Sequence, residues 1–234
     1  MNIEQFTNAL KEKGIELNQT QINQYEKYYK TLVEWNEKMN LTAITKKEDV
    51  YLKHFYDSLT IAFDFDFNEQ SIVDIGAGAG FPSIPLKIAF PNLKVTIVDS
   101  LTKRITFLQH LFKELQLTNC TAISARAEEF AIDHRESFDI SMARAVARLN
   151  ILDELCLPLV KENGYFLSLK GRIALEELTE AKNGIIKLGG KVEKTTSFTL
   201  SNDDDHRSNI IIKKVKKTPK QYPRMFSKIK KQPL

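Results

Sequence analysis

Cysteine is scarce in this sequence. Only Cys120 and Cys156 are present, and they form no Cys-X-X-Cys motif. Two cysteines so far apart supply neither a disulfide framework nor the ligand spacing of a zinc site. We therefore expect no bound metal, and both thiols should pack as small apolar groups, Cys120 on a strand and Cys156 on a helix.

Long apolar segments are missing as well. A membrane-spanning helix needs about 18 to 20 consecutive apolar residues, and no run in the sequence approaches that length. The start, MNIEQFTNALKEKG, lacks the apolar centre of a signal peptide. We expect a cytoplasmic protein that does not associate with membranes. With 234 residues, 42% of them hydrophobic, the chain can bury one sizeable core and a small extension.

Acidic residues stop at Asp205, and ten lysines and arginines follow. The formal net charge of the chain is +4, so this end carries +10 and the remainder carries −6. A localised cationic segment beside an acidic body favours binding to the phosphate backbone of a nucleic acid. A solvated, frayed terminus is the alternative that the sequence leaves open.

Residues 1–66 are expected to form a helical N-terminal extension, because apolar residues there recur three or four positions apart. They are Ile3, Phe6 and Leu10 in a first segment and Ile22, Tyr25, Tyr29, Leu32 and Val33 in a second. A third helical stretch is expected over about residues 48–63. Since the aromatic residues follow the helical period, they favour core packing over a base-stacking platform.

From Ser71 onward, strand and helix patterns alternate, which is typical of a mainly parallel sheet with helices on both faces. The apolar, β-branched runs predict strands near residues 71–76, 94–99, 120–125, 138–143, 164–170, 191–200 and 208–215. Only the DDDHR loop separates the last two strands, so these should pair antiparallel. The pattern predicts an α/β domain over residues 67–216, followed by a basic tail over residues 217–234.

The segment SIVDIGAGAG places Gly76, Gly78 and Gly80 directly after a buried strand. A glycine turn of this kind lets the backbone approach a nucleotide-like ligand closely. A dinucleotide site would need its third glycine where Phe81 stands. The G-x-G-x-G spacing, with Asp74 two positions before the first glycine, instead favours S-adenosylmethionine. A tight turn with a purely structural role is the alternative.

Residues after the other strands are further candidates, since ligands of such sheets bind at the carboxyl ends of the strands. Asp99, about 20 residues beyond the glycine turn, is placed to bind ribose hydroxyls. Ala127 and Glu128 follow the third strand, where they could meet an adenine ring, although acidic residues also favour a helix N-terminus for its dipole. Arg144 and Lys170 follow the fourth and fifth strands, where a cation favours function over a surface ion pair.

Eight separated segments carry a family resemblance and extend over essentially the whole chain: WNEKMNLTAIT, HFYDSL, VDIGAGAGFPSIPL, VDSLTKRITFL, SARAEEF, MARAVARL, SLKG and TPKQYPR. They resemble the RsmG family, also called glucose-inhibited division protein B. The resemblance implies a class I S-adenosylmethionine-dependent methyltransferase fold, Rossmann-like, with seven strands and an antiparallel last strand. It places cofactor contacts on Gly76, Phe81, Ala127, Glu128 and Arg144. The chain departs from the family at Ser83, often glycine there, and in its ending MFSKIKKQPL.

The activity implied by the resemblance is transfer of a methyl group from S-adenosylmethionine to N7 of a guanine in 16S rRNA, namely guanine 527 near the decoding site. The expected partner is 16S rRNA or the small ribosomal subunit, and we expect the enzyme to be a monomer. Two other function classes remain open. They are a non-catalytic RNA-binding module that retains the fold, and a methyltransferase for small molecules.

The residues present fit guanine N7 as the acceptor. The strand-four segment ARAVARL lacks the N/D-P-P-Y/F pattern that holds exocyclic amines, and no cysteine is placed as a nucleophile for C5 of a pyrimidine. N7 has an in-plane lone pair and no proton, so the reaction needs alignment rather than a general base. We expect Arg144 to shape the site and Lys170 to hold an RNA phosphate. His54, Asp57 and Ser58 share a helix face and form either a structural network or a substrate contact.

Overall fold

The computed structural model describes residues 1–201 and 205–234. Its strands are β1 Ser71–Ile75, β2 Lys94–Asp99, β3 Cys120–Ser124, β4 Phe138–Arg144, β5 Val160–Lys170, β6 Gly190–Thr199 and β7 His206–Lys214. They form one sheet in the order β3-β2-β1-β4-β5-β7-β6. Strands β1 to β5 run parallel, whereas β7 is antiparallel to both of its neighbours. The expected sheet and the position of every predicted strand are confirmed.

The helices are α1 Ile3–Glu12, α2 Gln19–Met39, α3 Lys47–Val50, α4 Asp57–Leu59, α5 Ser83–Ala89, α6 Thr102–Glu114, α7 Ala127–Asp133, α8 Leu149–Cys156, α9 Ala174–Lys187 and α10 Phe226–Lys231. A π-helical segment, Tyr51–Tyr56, joins α3 to α4, and a 3₁₀ turn, Thr60–Phe63, follows α4. The third N-terminal stretch is therefore helical throughout, as expected. Its π-helical centre was not foreseen, and such segments are common at functional sites.

Side-chain caps explain where the first two helices begin. Asn2 and Asn18 each accept a hydrogen bond from the backbone N–H three residues on, and the side-chain Oε1 of the glutamines there, Gln5 and Gln21, accepts the backbone N–H of the cap residue. These reciprocal bonds satisfy N–H groups that a helix start leaves unpaired. Helix α2 ends at Asn40, whose left-handed backbone, with φ of 50°, stops the helix.

The N-terminal helices pack on one face of the sheet and share a single core with β1, β2, α5 and α6. The Tyr25 hydroxyl donates to the carbonyl of Pro85 at 2.7 Å, and that of Tyr28 donates to the carbonyl of Ala79 at 2.5 Å. The aromatic residues are thus core residues, as expected. One position differs: of the two neighbouring tyrosines, Tyr28 is fully buried, whereas Tyr29 is only partly buried.

The opposite face of the sheet is covered by α8, α9 and residues 215–234, which we name the C-terminal strap. The strap is docked: Ile229 is fully buried, and the guanidinium of Arg135 donates to the carbonyls of Thr218, Pro219 and Tyr222. This rules out a frayed terminus. The hydrophobic core therefore extends past residues 66 and 216, while the predicted domain boundaries there remain predictions.

Three basic residues that the sequence assigned to the cationic end, Arg207, Lys213 and Lys214, are part of β7 instead. Lys214 is fully buried, and its Nζ donates to the carbonyls of Leu157 at 2.7 Å and Val160 at 3.0 Å. Burial lowers its pKa to about 8. Lys213 lies over the ring of Tyr165. The exposed cations of the strap are Lys216, Lys217, Lys220, Lys228, Lys230 and Lys231.

The antiparallel pairing of β6 and β7 is confirmed, with register from Gly190 opposite Lys214 to Thr199 opposite His206. Residues 202–204, which include the first two aspartates of the DDDHR loop, lie outside the described residues. Over the part of the chain that is described, no helix is both long and apolar enough to cross a membrane.

Candidate active site

The glycine turn after β1 has the backbone conformation that requires glycine. Gly76, Gly78 and Gly80 have φ of +70°, +59° and +99°, values that side-chain-bearing residues rarely adopt. Among the described residues, a Cβ added to Gly78 would meet no atom within 4 Å, because this residue faces an open cavity. A Cβ on Gly80 would lie 2.8 Å from the Tyr28 hydroxyl oxygen. Gly80 therefore serves close packing against α2 and does not line the cavity.

The cavity beside the glycine turn has a volume of about 490 Å³, and we name it the cofactor cavity. Every predicted cofactor-binding residue except Gly80 lines it: Gly76, Gly78, Phe81, Asp99, Ala127, Glu128 and Arg144. These residues come from the carboxyl ends of β1 to β4. The structure therefore brings residues from four separate segments of the sequence to one cavity.

Asp99 is held in a fixed orientation at the end of β2, where it is only 3% exposed. Its Oδ1 accepts the backbone N–H of Leu101 at 3.0 Å. Its Oδ2 accepts from Arg104 Nη1 at 3.0 Å and from the backbone N–H of Gly78 at 3.3 Å. The carboxylate thus joins the glycine turn to α6, and Arg104, which also lines the cavity, was not foreseen as a site residue.

Asp74 supports the glycine turn from below. It is fully buried, and its Oδ2 accepts the backbone N–H of Ser83 at 3.1 Å. Burial raises the pKa of this carboxyl to about 7, although the Ser83 bond and Arg144 oppose the shift. The backbone bond does not depend on the side chain at position 83, where the chain departs from the family, but the Ser83 side chain also opposes the pKa shift of Asp74.

Arg144 lies at the end of β4 and contacts the N-terminal helices. Its Nη1 lies 3.0 Å from Asp57 Oδ2, and this ion pair is largely buried, with side-chain exposures of 13% and 9%. The guanidinium carbon also lies 5.1 Å from the centre of the Phe81 ring, a cation–π contact. The arginine is therefore neither a surface ion pair nor free, since it joins the helical extension to the cofactor cavity.

His54 is neutral in this site. Arg144 Nη2 donates to its Nδ1 at 3.3 Å, and the other ring nitrogen lies 2.9 Å from the Thr42 hydroxyl. Burial and the positive charge of Arg144 lower the pKa of His54 to about 3. Its ring stacks on Phe81, with centroids 4.4 Å apart. Ser58, the third member of the predicted cluster, instead donates to the carbonyl of His54.

A second cavity of about 470 Å³ adjoins the first. The two share His54, Arg144, Ala145 and Val146 as lining residues. The remaining residues of the second cavity are Lys53, Asp57, Ala147, Leu169, Lys170, Gly171, Glu177, Arg207 and Asn209. Four of the lining side chains are basic and two are acidic, so the second cavity has a cationic excess.

Lys170 has partners that the sequence did not predict. It is 7% exposed, its Nζ lies 2.7 Å from Glu177 Oε2, and it donates to the carbonyl of Ala147 at 2.6 Å. Glu177 Oε2 also accepts the backbone N–H of Leu149 at 2.7 Å. Lys170 and Glu177 therefore hold the loop between β4 and α8 in place, Lys170 through Ala147 and Glu177 through Leu149. A direct contact with an RNA phosphate would have to replace these interactions.

Val146, in that loop, closes over the glycine turn. A Cβ added to Gly76 would lie 2.8 Å from a Val146 methyl carbon, and the preceding Ala145 has a left-handed backbone with φ of 56°. Sequence reasoning missed Val146, together with Leu41, Thr42 and Phe226, which also line the cofactor cavity. These residues come from loops or from the strap, and no periodic pattern marks them.

Neither cysteine lines the two cavities. Cys156 is buried in α8, while Cys120 in β3 is partly exposed, and burial raises the pKa of Cys120 to about 11. Both are therefore thiols rather than reactive thiolates at neutral pH.

Over residues 1–201 and 205–234, no group of three or more His, Cys, Asp or Glu side chains is arranged to hold a metal ion.

Comparisons with known proteins find relatives that match almost the whole chain. The family model described as GidB: rRNA small subunit methyltransferase G matches residues 21–207. The Ribosomal RNA small subunit methyltransferase G of Bacillus cytotoxicus is 59% identical over 227 residues, which cover 96% of this chain and 95% of the relative. The protein of the same name from Bacillus subtilis (strain 168) is 57% identical over 237 residues, covering 100% and 99%.

The fold has counterparts among solved structures. M. jannaschii TYW2 in complex with AdoMet has a TM-score of 0.52 and 17% sequence identity, covering 64% of this chain and 72% of that chain. At this identity the likeness shows the fold alone, that of the class I methyltransferases.

Proposed function

Since this chain belongs to the family described as GidB: rRNA small subunit methyltransferase G, we propose that it methylates N7 of one guanine in 16S rRNA. Membership makes it an S-adenosylmethionine-dependent rRNA methyltransferase. The resemblance noted above points to guanine 527 as the target base. We propose that the enzyme acts in the cytoplasm, as a monomer, on 16S rRNA or the small ribosomal subunit.

The residues of the cofactor cavity fit S-adenosylmethionine. Gly78 leaves open space where a side chain would stand, and Asp99 presents an oriented carboxylate beside it. In our proposal Asp99 holds the ribose hydroxyls, Ala127 and Glu128 meet the adenine edge, and Gly76 lets the backbone approach. When bound, the cofactor supplies a methyl group activated by its sulfonium.

One observation carries the choice of substrate class: the glycine-lined cavity adjoins a cationic cavity across Arg144 and Val146. A nucleotide of RNA carries phosphate, which the basic side chains of the second cavity and the six exposed lysines of the strap would attract. We propose that the target guanine enters the second cavity, with its N7 edge turned towards the first.

The ionisable groups at the junction suit a reaction that moves no proton. His54 is neutral, and Asp57 is paired with Arg144 at 3.0 Å and with Arg207 at 3.2 Å. Glu177 is paired with Lys170. Guanine N7 needs no deprotonation, so these groups would position the base rather than act as acid or base. Lys170 would act by ordering the loop that carries Val146.

The test uses RNA in which 7-deazaguanine replaces the target guanine, so that a carbon stands in place of N7. We expect this RNA to bind with nearly unchanged affinity and to accept no methyl group from labelled S-adenosylmethionine. Methyl incorporation at the normal rate would refute N7 as the acceptor.

Unmodified RNA is the control in the same assay, and it separates the other function classes. RNA that binds without methylation would favour a non-catalytic RNA-binding module. Absence of salt-dependent RNA binding would favour a small-molecule substrate.

A further inference from the structure

Phe226 lies on the wall of the cofactor cavity, although it belongs to the C-terminal strap and not to a strand end. It is the first residue of α10 and packs on the core that α8 and α9 share with the sheet. The strap thus closes back on the sheet and supplies an aromatic ring to a cavity that is built mainly from the carboxyl ends of β1 to β4.

Anchors on both sides hold this ring in place. Two residues before it, Arg224 pairs with Glu154 of α8, with Nη2 to Oε2 at 2.5 Å and Nε to Oε1 at 2.8 Å. Glu154 is fully buried, and its Oε1 also accepts the backbone N–H of Arg224 at 2.8 Å. Three residues after Phe226, Ile229 is fully buried. A ring fixed between two buried anchors is preorganised for a ligand rather than free to move.

The same helix provides the anchor and the adjoining wall. Leu155, next to Glu154 in α8, lines the cofactor cavity. Ala125 and Ala127, at the end of β3 and the start of α7, line it as well, and all three pack with Phe226 in the same core. Together these side chains give the cavity an apolar section, and Glu128 places a carboxylate in the same cavity. A flat heterocycle with polar edges suits such a surface, because its faces are apolar and stack on aromatic rings.

We infer that Phe226 is a cofactor-binding residue and that it forms part of the apolar wall for the adenine ring. The inference rests on the use of S-adenosylmethionine but not on the identity of the methylated base. The C-terminal strap is then part of the cofactor site and not only a cationic surface.

The test measures binding of S-adenosylmethionine and of 5′-methylthioadenosine by calorimetry, with the full chain and without RNA. The second ligand keeps the adenine and ribose but lacks the amino-acid part. We expect Phe226→Ala to weaken both ligands by a similar factor, about tenfold, the size typical of removing one stacking interaction. The control is Met225→Ala, since Met225 is 77% exposed and does not line either cavity. It should leave both affinities unchanged.

Ile229→Ser tests the anchoring independently. Undocking of α10 should unfold the backbone around the strap lysines, so that trypsin cleaves there, and should weaken both ligands about as much as Phe226→Ala does. Adding Phe226→Ala to it should then cause no further loss, because the ring has already left the cavity. Trypsin resistance of Phe226→Ala itself would show that its strap is still docked.

Three results would overturn the inference. They are unchanged affinity for S-adenosylmethionine in Phe226→Ala, a loss confined to S-adenosylmethionine, which would assign the ring to the amino-acid part, and additive losses in the double variant. Failure of the proposed guanine N7 activity would leave these binding measurements unaffected, so the two proposals fail separately.

Discussion

Arg144 and Asp57 form a buried ion pair, 3.0 Å long, that joins the end of the fourth strand to the N-terminal helices. Asp57 also pairs with Arg207 of β7 at 3.2 Å. Three distant parts of the chain therefore meet at one carboxylate, which lines the second cavity.

Replacing Arg144 by alanine should impair both stability and turnover. The change leaves Asp57 with one cationic partner and removes the guanidinium from Phe81 and His54, so we expect a loss of about 3 kcal/mol in the free energy of unfolding. Methyl transfer should fall by about 100-fold or more. Arg144→Lys should recover most of the stability but little of the activity, because lysine cannot reproduce the planar contacts. Denaturant unfolding and single-turnover assays measure the two effects, and a fully active Arg144→Ala enzyme would contradict this role.

Gly78→Val should abolish S-adenosylmethionine binding, since a side chain at Gly78 would extend into the open cavity. Gly14→Val is the matched control. Gly14 too has a positive φ, +80°, and an added Cβ would meet no described atom within 4 Å, but it lies away from the cavity. Both variants should lose stability from backbone strain, and only Gly78→Val should lose ligand affinity by calorimetry. Equal affinities of the two variants for S-adenosylmethionine would show that the glycine turn is not part of the cofactor site.

The buried carboxyl of Asp74 should make stability depend on pH. Its pKa is about 7 in the folded protein and about 3.9 when unfolded. Between these values the folded state holds a proton that the unfolded state has released, so stability should fall as pH rises from about 4 to about 7. Asp74→Asn should flatten this slope and be more stable than wild type at pH 8, by about 2 to 4 kcal/mol. The free energy of unfolding is measured in urea from pH 5 to 8. The same pH dependence in wild type and Asp74→Asn would contradict the raised pKa of Asp74.

Lys170→Met separates a loop-ordering role from phosphate binding. The change leaves Glu177 unpaired in a buried position, so stability should fall by about 3 kcal/mol, and adding Glu177→Gln should restore much of it. If Lys170 orders the loop, the dependence of RNA affinity on salt should be unchanged while the methylation rate falls. If the slope of log RNA affinity against log salt concentration were instead smaller by about 0.7 in the variant, Lys170 would neutralise one RNA phosphate.

The exposed lysines of the C-terminal strap should contribute to RNA binding. Replacing Lys228 and Lys230 by glutamine should flatten the plot of log affinity against log salt, by about 0.7 for each phosphate that is no longer neutralised, and should leave S-adenosylmethionine affinity unchanged. Lys94 and Lys113 are exposed as well, but they lie at the start of β2 and the end of α6, away from the strand carboxyl ends. Glutamine at Lys94 and Lys113 should not alter this salt dependence, and identical salt dependences for the two variants would exclude Lys228 and Lys230 from RNA binding.

The sequence by itself determined the order and type of the elements and most of the cofactor cavity. Strand positions follow from apolar, β-branched runs, and the residues after β1 to β4 meet because parallel strands end at one edge of a sheet. The sequence therefore placed Gly76, Gly78, Phe81, Asp99, Ala127, Glu128 and Arg144 at one cavity without a structure, and their contacts with the cofactor stay a prediction.

Only the tertiary structure decided which groups pair across the molecule. No local pattern encodes that Arg144 meets Asp57, that Lys170 is occupied by Glu177, or that Lys214 is buried. The same holds for the strap, whose charge predicted a solvated or RNA-binding end, whereas Ile229 and Arg224 dock it on α8. Periodicity reports which face of an element is apolar, but the partner of a charge depends on contacts between residues far apart in sequence, which form only when the chain has folded.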